Sequence, residues 1–286
     1  MDILTVDYQA SNAPRRFAES LHQTGFAVLS NHSVPHGLFD RVREDWRAFF
    51  SRPLAEKEKY WYDLDFHDGY YPTESAKNRP VNDLKEFYHI VPNGRVPEGV
   101  GQDTWALREQ LFAIGRQLLT WLQDNMPSEI AKKLPLKLPD MMDEAGKTTL
   151  RIIHYPPLTG NEPKDAVRAA EHEDINLMTV LPAANQPGLQ VKTKEGKWQT
   201  VQCDPGTIVI NAGDLLQEFT EGFYKSTTHR VINPEGESAR HARFSTPMFV
   251  HARPDIALSA RYPTVKDYVD ERLAAQGLKQ FNKINR

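Results

Sequence analysis

Apolar residues recur at helical spacing through the first part of the chain and at strand spacing through the second. NAPRRFAESLHQTG predicts a helix with Asn12 as cap, Pro14 near its start and Gly25 as its stop, and a short strand, FAVLSNH, follows. PHGLFDRVREDWRAFFS carries Leu38, Val42, Trp46 and Phe49 on one helical face, and PLAEKEKYW adds a further turn or two. Residues 62–98 lose the period, apart from a possible strand at KEFYHIV. The segment from Gln102 to Met126 then predicts a long amphipathic helix, with Trp105, Leu107, Leu111, Ile114, Leu118 and Leu122 set to pack across a sheet.

From Thr148 onward the pattern becomes a series of short strands divided by turn residues: TTLRIIHY, INLMTVLPA, GLQVKT, KWQTV, GTIVINAG, TTHRVIN and RFSTPMFVH. No helices alternate with them, which excludes a parallel βαβ architecture and points to a sandwich or jelly roll. A last helix is expected at TVKDYVDERLAAQG. The fold class is therefore mainly β with flanking helices.

Composition narrows the function. The 286 residues carry a net charge of −3, so nothing draws nucleic acid to the chain as a whole. Lys192, Lys194 and Lys197 alternate with other residues and read as a solvated hairpin. The single cysteine, Cys203, excludes an internal disulfide and an all-cysteine metal site, and suits a reducing compartment. No signal-peptide pattern and no apolar run near the roughly 20 residues of a membrane span is present, so a cytoplasmic protein with no membrane partner is expected. Oligomeric state is not legible.

The chemistry starts at EHEDINLMTV. As the head of an alternating strand, this stretch would send His172 and Asp174, two positions apart, to one face. His229, in STTHRVINP, is the candidate third ligand. Two histidines and one carboxylate form a facial triad that leaves adjacent positions open on an octahedral ferrous ion. Open positions admit O2 and a chelating molecule. In RFSTPMF, Arg243 and Ser245 again lie two apart on a strand, and an arginine fork beside a hydroxyl grips a carboxylate.

These residues carry a resemblance. HED, PGLQV, INAGDLL, THRV and RFS, in that order, resemble the catalytic domain of the 2-oxoglutarate and Fe(II)-dependent oxygenases, in the isopenicillin N synthase-like branch, and GFAVLSNHSVP with the following FF and Lys resembles that branch's N-terminal region. The resemblance spans nearly the whole chain. It implies a distorted double-stranded β-helix core, with a helical N-terminal region over 1–125, the jelly-roll domain over 146–255 and a helical extension over 256–286. It also implies Fe(II) on His172, Asp174 and His229, 2-oxoglutarate held by Arg243, Ser245 and Tyr155, O2 as second cosubstrate, and oxidation, by default hydroxylation, of a small organic molecule with release of succinate and CO2. Ile153 stands where many plant members have an asparagine.

The motifs leave the cosubstrate open, because isopenicillin N synthase has the same set and its RxS pair grips a substrate carboxylate instead. A binding protein or a zinc hydrolase on the same ligands is a different class, although no HExxH helix supports the latter. Substrate selection is expected from Tyr70, Tyr71, the strand from Lys85 to Tyr88 and the C-terminal end, with Arg79 or Lys85 as candidates for an acidic substrate and Phe219, Phe223 and Phe249 as core or pocket residues. His154 is expected on the face opposite Tyr155. Asn211, Gly213 and Asp214 are read as a strand-to-turn transition, Gly188 as a turn, His32 as structural and Trp198 as packing.

Overall fold

A short strand, β1 (Thr5–Asp7), leads into helix α1 (Ala13–Thr24), which buries Phe17, Ala18 and Leu21 along one face. Asn12 occupies the cap position without donating or accepting a side-chain cap bond. Gly25 ends the helix in the left-handed region at φ +73°, where a side chain would be strained and a Cβ would also run into Thr227. Strand β2 (Phe26–Ser30) follows at once. We describe residues 2–63, 67–74, 81–146, 148–202 and 204–275 of this computed structural model.

Helix α2 (His36–Phe50) buries Leu38, Val42, Trp46 and Phe49, as their spacing predicts, and the Trp46 indole donates to Thr104 Oγ1 at 3.0 Å. The turn α3 (Leu54–Lys57) precedes two strands, β3 (Gly69–Tyr71) and β4 (Glu86–Ile90). Helix α4 (Asp103–Asn125) then lays Leu107, Leu111, Ile114, Leu118 and Leu122 into the core, and a short turn α5 (Ser128–Ala131) follows it.

The strands of the second half are β5 (Thr149–Tyr155), β6 (Ala169–His172), β7 (Met178–Pro182), β8 (Leu189–Lys192), β9 (Trp198–Thr200), β10 (Ile208–Ala212), β11 (His229–Val231), β12 (Arg243–Ser245) and β13 (Met248–Val250). Helix α6 (Asp214–Phe219) interrupts them and α7 (Val265–Ala275) ends the described chain. Among the described residues the larger sheet runs β1-β2-β10-β7-β13-β5-β4-β3, with β12 also on β5, and a second sheet runs β6-β11-β8-β9. All named pairs are antiparallel except β1 with β2, which run parallel and are joined through α1 as a single βαβ unit at the sheet edge. This is the jelly-roll architecture with flanking helices.

Residue alternation divides the larger sheet into two faces. Leu150, Ile152, Val180, Ile210 and Met248 meet the helices in one large apolar cluster, where Gly115 of α4 lets the helix approach Val250. Each fully buried leucine or phenylalanine there contributes about 1.5–3 kcal/mol. The other face, with Phe26, Phe87, Ile153, Tyr155 and Val209, meets Leu189, Val191 and Val231 of the second sheet in a smaller cluster. That inner space is where the chemistry-bearing residues gather.

Candidate active site

His172 and His229 stand opposite each other across the β6–β11 pair, their rings 4.3 Å apart between centroids. The expectation that His172 and Asp174 open one strand is corrected: β6 ends at His172, and Asp174 lies in the turn before β7. Hydrogen bonding, and not strand alternation, aims the carboxylate. Asp174 Oδ2 accepts from Thr179 Oγ1 at 2.5 Å and from Asn211 Nδ2 at 2.9 Å. Its Oδ1 is left facing His172 Nε2 at 3.7 Å and His229 Nε2 at 3.9 Å.

Each imidazole is fixed by its other nitrogen. His172 Nδ1 donates to the Ala170 carbonyl at 2.8 Å and His229 Nδ1 to the Thr227 carbonyl at 3.1 Å. With Nδ1 so engaged, both Nε2 atoms are turned toward Asp174, and all three donor atoms lie within 4.8 Å of one another. Burial, and after it the neighbouring His229, hold the His172 pKa below its ordinary value, so the ring is neutral and ready to ligate. Burial alone would raise the Asp174 carboxyl, but the two histidines and the bonds from Asn211 and Thr179 outweigh it and keep the group ionised.

The donor set fits a ferrous ion. Two imidazoles and one carboxylate with converging donor atoms are what an octahedral ion with open positions requires, whereas structural zinc closes its tetrahedron with four protein ligands.

Strand register carries the inner face outward from this centre. Asn211 pairs with Thr179, Thr179 with Phe249, Phe249 with Thr149, Arg151 with His89, Ile153 with Ser245 and Tyr155 with Arg243, so all of these share one face. At one end the Arg243 guanidinium lies 5.1 Å from the Tyr155 ring and its Nε donates to the Gln186 carbonyl at 3.2 Å. Both Arg243 and Ser245 are buried. At the other end Arg151 lies over Phe87 at 4.2 Å and Phe249 at 5.0 Å, with Tyr71 stacked on Phe87.

Other expectations sort by face. His154 does point away from Tyr155, bonding Glu86 Oε1 at 2.8 Å and stacking on Phe50. Tyr70 also points away from the inner face: it is buried in the core with its hydroxyl on Glu86, beside Lys57. Tyr71 and Phe249 face inward, while Phe219 is core and Phe223 stacks on His22. The Lys85 ammonium is held by Glu74 at 2.7 Å and Asp83 at 3.0 Å, a partnering that weighs against its use for an acidic substrate. Arg79 and Cys203 lie outside the described residues.

Asp214 is engaged by Tyr268 of α7, and Gly213 packs so closely on Asn176 that a Cβ would overlap it, as a strand-to-turn role requires. Asn211 does more than expected, since it holds the candidate ligand Asp174. Arg168 was missed altogether. It is fully buried and bonds Gln186 and the His241 carbonyl. The signal available was an arginine inside an otherwise apolar AVRAA just ahead of His172.

Known proteins are similar to this chain along most of its length. The model of the 2OG-Fe(II) oxygenase superfamily matches residues 147–252, and that of the N-terminal region of non-haem dioxygenases in morphine synthesis matches residues 5–107. Jasmonate-induced oxygenase 4 of Arabidopsis thaliana is 30% identical over 251 residues, covering 85% of this chain and 69% of that protein. The chain belongs to the 2OG-Fe(II) oxygenase superfamily. A 2-oxoglutarate-Fe(II) type oxidoreductase of Emericella nidulans is 30% identical to this oxygenase over 260 residues, covering 83% of this chain and 73% of its own. A crystal structure from Shewanella oneidensis, provisionally described as an oxygenase, superposes with a TM-score of 0.86 at 45% identity, over 97% of this chain and 99% of that one. The oxygenase is thus an enzyme that uses Fe(II) and 2-oxoglutarate, which decides the cosubstrate question left open by the motifs. Among the described residues no helix is long and apolar enough to cross a membrane.

Proposed function

We propose that His172, Asp174 and His229 hold the iron, that Arg243, Ser245 and Tyr155 hold 2-oxoglutarate, and that the oxygenase hydroxylates a small organic molecule seated toward Arg151. The observation that carries this reading is the set of three donor atoms within 4.8 Å, flanked by an inner sheet face that ends on a buried arginine. Membership of the isopenicillin N synthase-like branch and the partition into 1–125, 146–255 and 256–286 belong to the same proposal.

Bound there, Fe(II) and 2-oxoglutarate supply the oxidising chemistry, consuming O2 and releasing succinate and CO2 while one oxygen atom passes to the substrate. The protein's part is positioning and exclusion. Thr179 and Asn211 hold Asp174 Oδ2 so that Oδ1 is presented to the metal, and the two backbone carbonyls hold the imidazoles in the ligating tautomer. Arg243 orients the far carboxylate by a charge-assisted fork. Val191, Val209, Val231 and Phe26 line the space with apolar groups that keep bulk water from the reacting atoms.

The substrate end has its own chemistry. Arg151 stands four residues from Tyr155 on one strand, about 13 Å along it. Its guanidinium also bonds Glu74 at 3.2 Å and His89 at 2.8 Å, so its charge is partly balanced. The guanidinium itself lies against the rings of Phe87 and Phe249, so this end favours a molecule that offers a hydrogen-bond-accepting edge to Arg151.

The test is an anaerobic titration of the Fe(II)-loaded protein with 2-oxoglutarate, read by the weak visible charge-transfer absorption of a keto acid chelated to ferrous iron. Its appearance, and its loss in Arg243→Ala at equal 2-oxoglutarate, is the expected result. Iron binding without that absorption removes the cosubstrate assignment.

A further inference from the structure

Arg168 is a fully buried guanidinium on the approach to β6, four residues before His172. Its Nη1 donates to Gln186 Oε1 at 3.0 Å and its Nη2 to the His241 carbonyl at 3.2 Å, while its buried Nε has no hydrogen-bond partner among the described residues. Both acceptors are neutral. Among the described residues no carboxylate pairs with this cation, which is unusual, because a buried charge without a counter-charge is strongly disfavoured.

The neighbour makes the cost larger. The Arg168 guanidinium lies 5.9 Å from the Tyr155 ring, whose centroid is also 5.1 Å from Arg243, and the two arginines are joined through one residue, with Gln186 accepting from Arg168 on its side chain and from Arg243 on its backbone. Burial, and then the nearness of Arg243, bring the Arg168 pKa down to about 10, still far above neutrality. Two positive charges are therefore kept together beside Tyr155. Such a pair is stable when an anion completes it.

We propose that Arg168 is the second cation of the pocket for the distal carboxylate of 2-oxoglutarate, a positioning residue that supplies counter-charge and braces Arg243 through Gln186. This rests on the assignment of that carboxylate to Arg243. The consequence is selectivity: a keto acid with two carboxylates is favoured over one of equal length that ends in a methyl group.

The experiment compares wild type, Arg168→Met and Arg168→Lys, each loaded with Fe(II) without oxygen and titrated with 2-oxoglutarate or 2-oxopentanoate, with binding read by charge-transfer absorption. Arg168→Met is expected to weaken 2-oxoglutarate about tenfold to a hundredfold, the loss of one charge-assisted interaction, and to leave 2-oxopentanoate unchanged. Arg168→Lys restores most of the selectivity for the dicarboxylate. Equal weakening of both keto acids means that Arg168 only supports the fold, and unchanged 2-oxoglutarate binding means that its charge is not felt; either result overturns the proposal. If Arg168→Met does not fold, Arg168→Lys decides, because loss of selectivity with the charge retained also overturns it. Failure of the wild type to bind 2-oxoglutarate overturns the parent assignment, and this one with it.

Discussion

The larger sheet serves two apolar clusters that behave as opposites, although β5, β7 and β10 contribute to both. Toward the helices, Leu150, Ile152, Val180 and Ile210 join a core of ordinary close packing. Toward the second sheet, alternate residues of the same strands include Arg151, Tyr155, Thr179 and Asn211, and the opposing strands add His172 and His229. A one-residue register slip would exchange the two faces. The stable face therefore fixes the register of the working face, and each can be altered with limited effect on the other.

The largest separation should come from His229→Ala. Iron binding is expected to fall by more than about a hundredfold, beyond the range for loss of an outer partner, with thermal unfolding of the metal-free protein nearly unchanged. Metal titration and a thermal scan check both halves. A large drop in melting temperature instead would tie the working face to stability and dissolve the contrast.

The converse change is Leu118→Ala in α4. Denaturant unfolding should show a loss of about 2–5 kcal/mol, with iron affinity of the folded fraction retained. A smaller effect on the working face is expected from Asn211→Ala, which leaves Asp174 with one fewer donor and weakens iron roughly 10–100-fold, measured by competition with a chelator. Unaltered affinity would mean that Thr179 alone aims the carboxylate.

The last contrast is read in pH. Burial would raise the Glu74 carboxyl, but Arg151 and Lys85 outweigh it and hold its pKa far below the ordinary carboxylate value. A depressed pKa stabilises the folded state fully above the unfolded value of about 4.3, and the contribution is lost as pH falls from there through the folded value. Wild type should thus exceed Glu74→Gln in stability at pH 7, with the gap closing in acid. A gap independent of pH would assign the role of Glu74 to packing.

Much of this was legible in advance for a physical reason. Helices α1, α2 and α4 carry long apolar stripes, so Trp46 and Leu118 could be placed in the core from spacing alone. The three candidate ligands stood out in sequence as residue types, yet Asp174 does not share a strand with His172, because a turn held by Thr179 and Asn211 imitates strand spacing in sequence. Strands β1 and β3 have three residues each and show no usable alternation. Arg168 and Asn211 act through contacts with residues far along the chain, and no local pattern reports those.

Strand β2 hydrogen-bonds to β10 from Phe26 to Leu29, and Thr227, whose carbonyl orients His229, donates its own hydroxyl to the Thr24 carbonyl. A protein engineer who trimmed the chain to residues 146–255 would strip β10 of that neighbour and expose an unpaired strand edge beside uncovered core. Such a fragment should precipitate, and grafting a different N-terminal region onto this barrel would have to reproduce the β2 edge and the α1 corner before it could alter substrate choice.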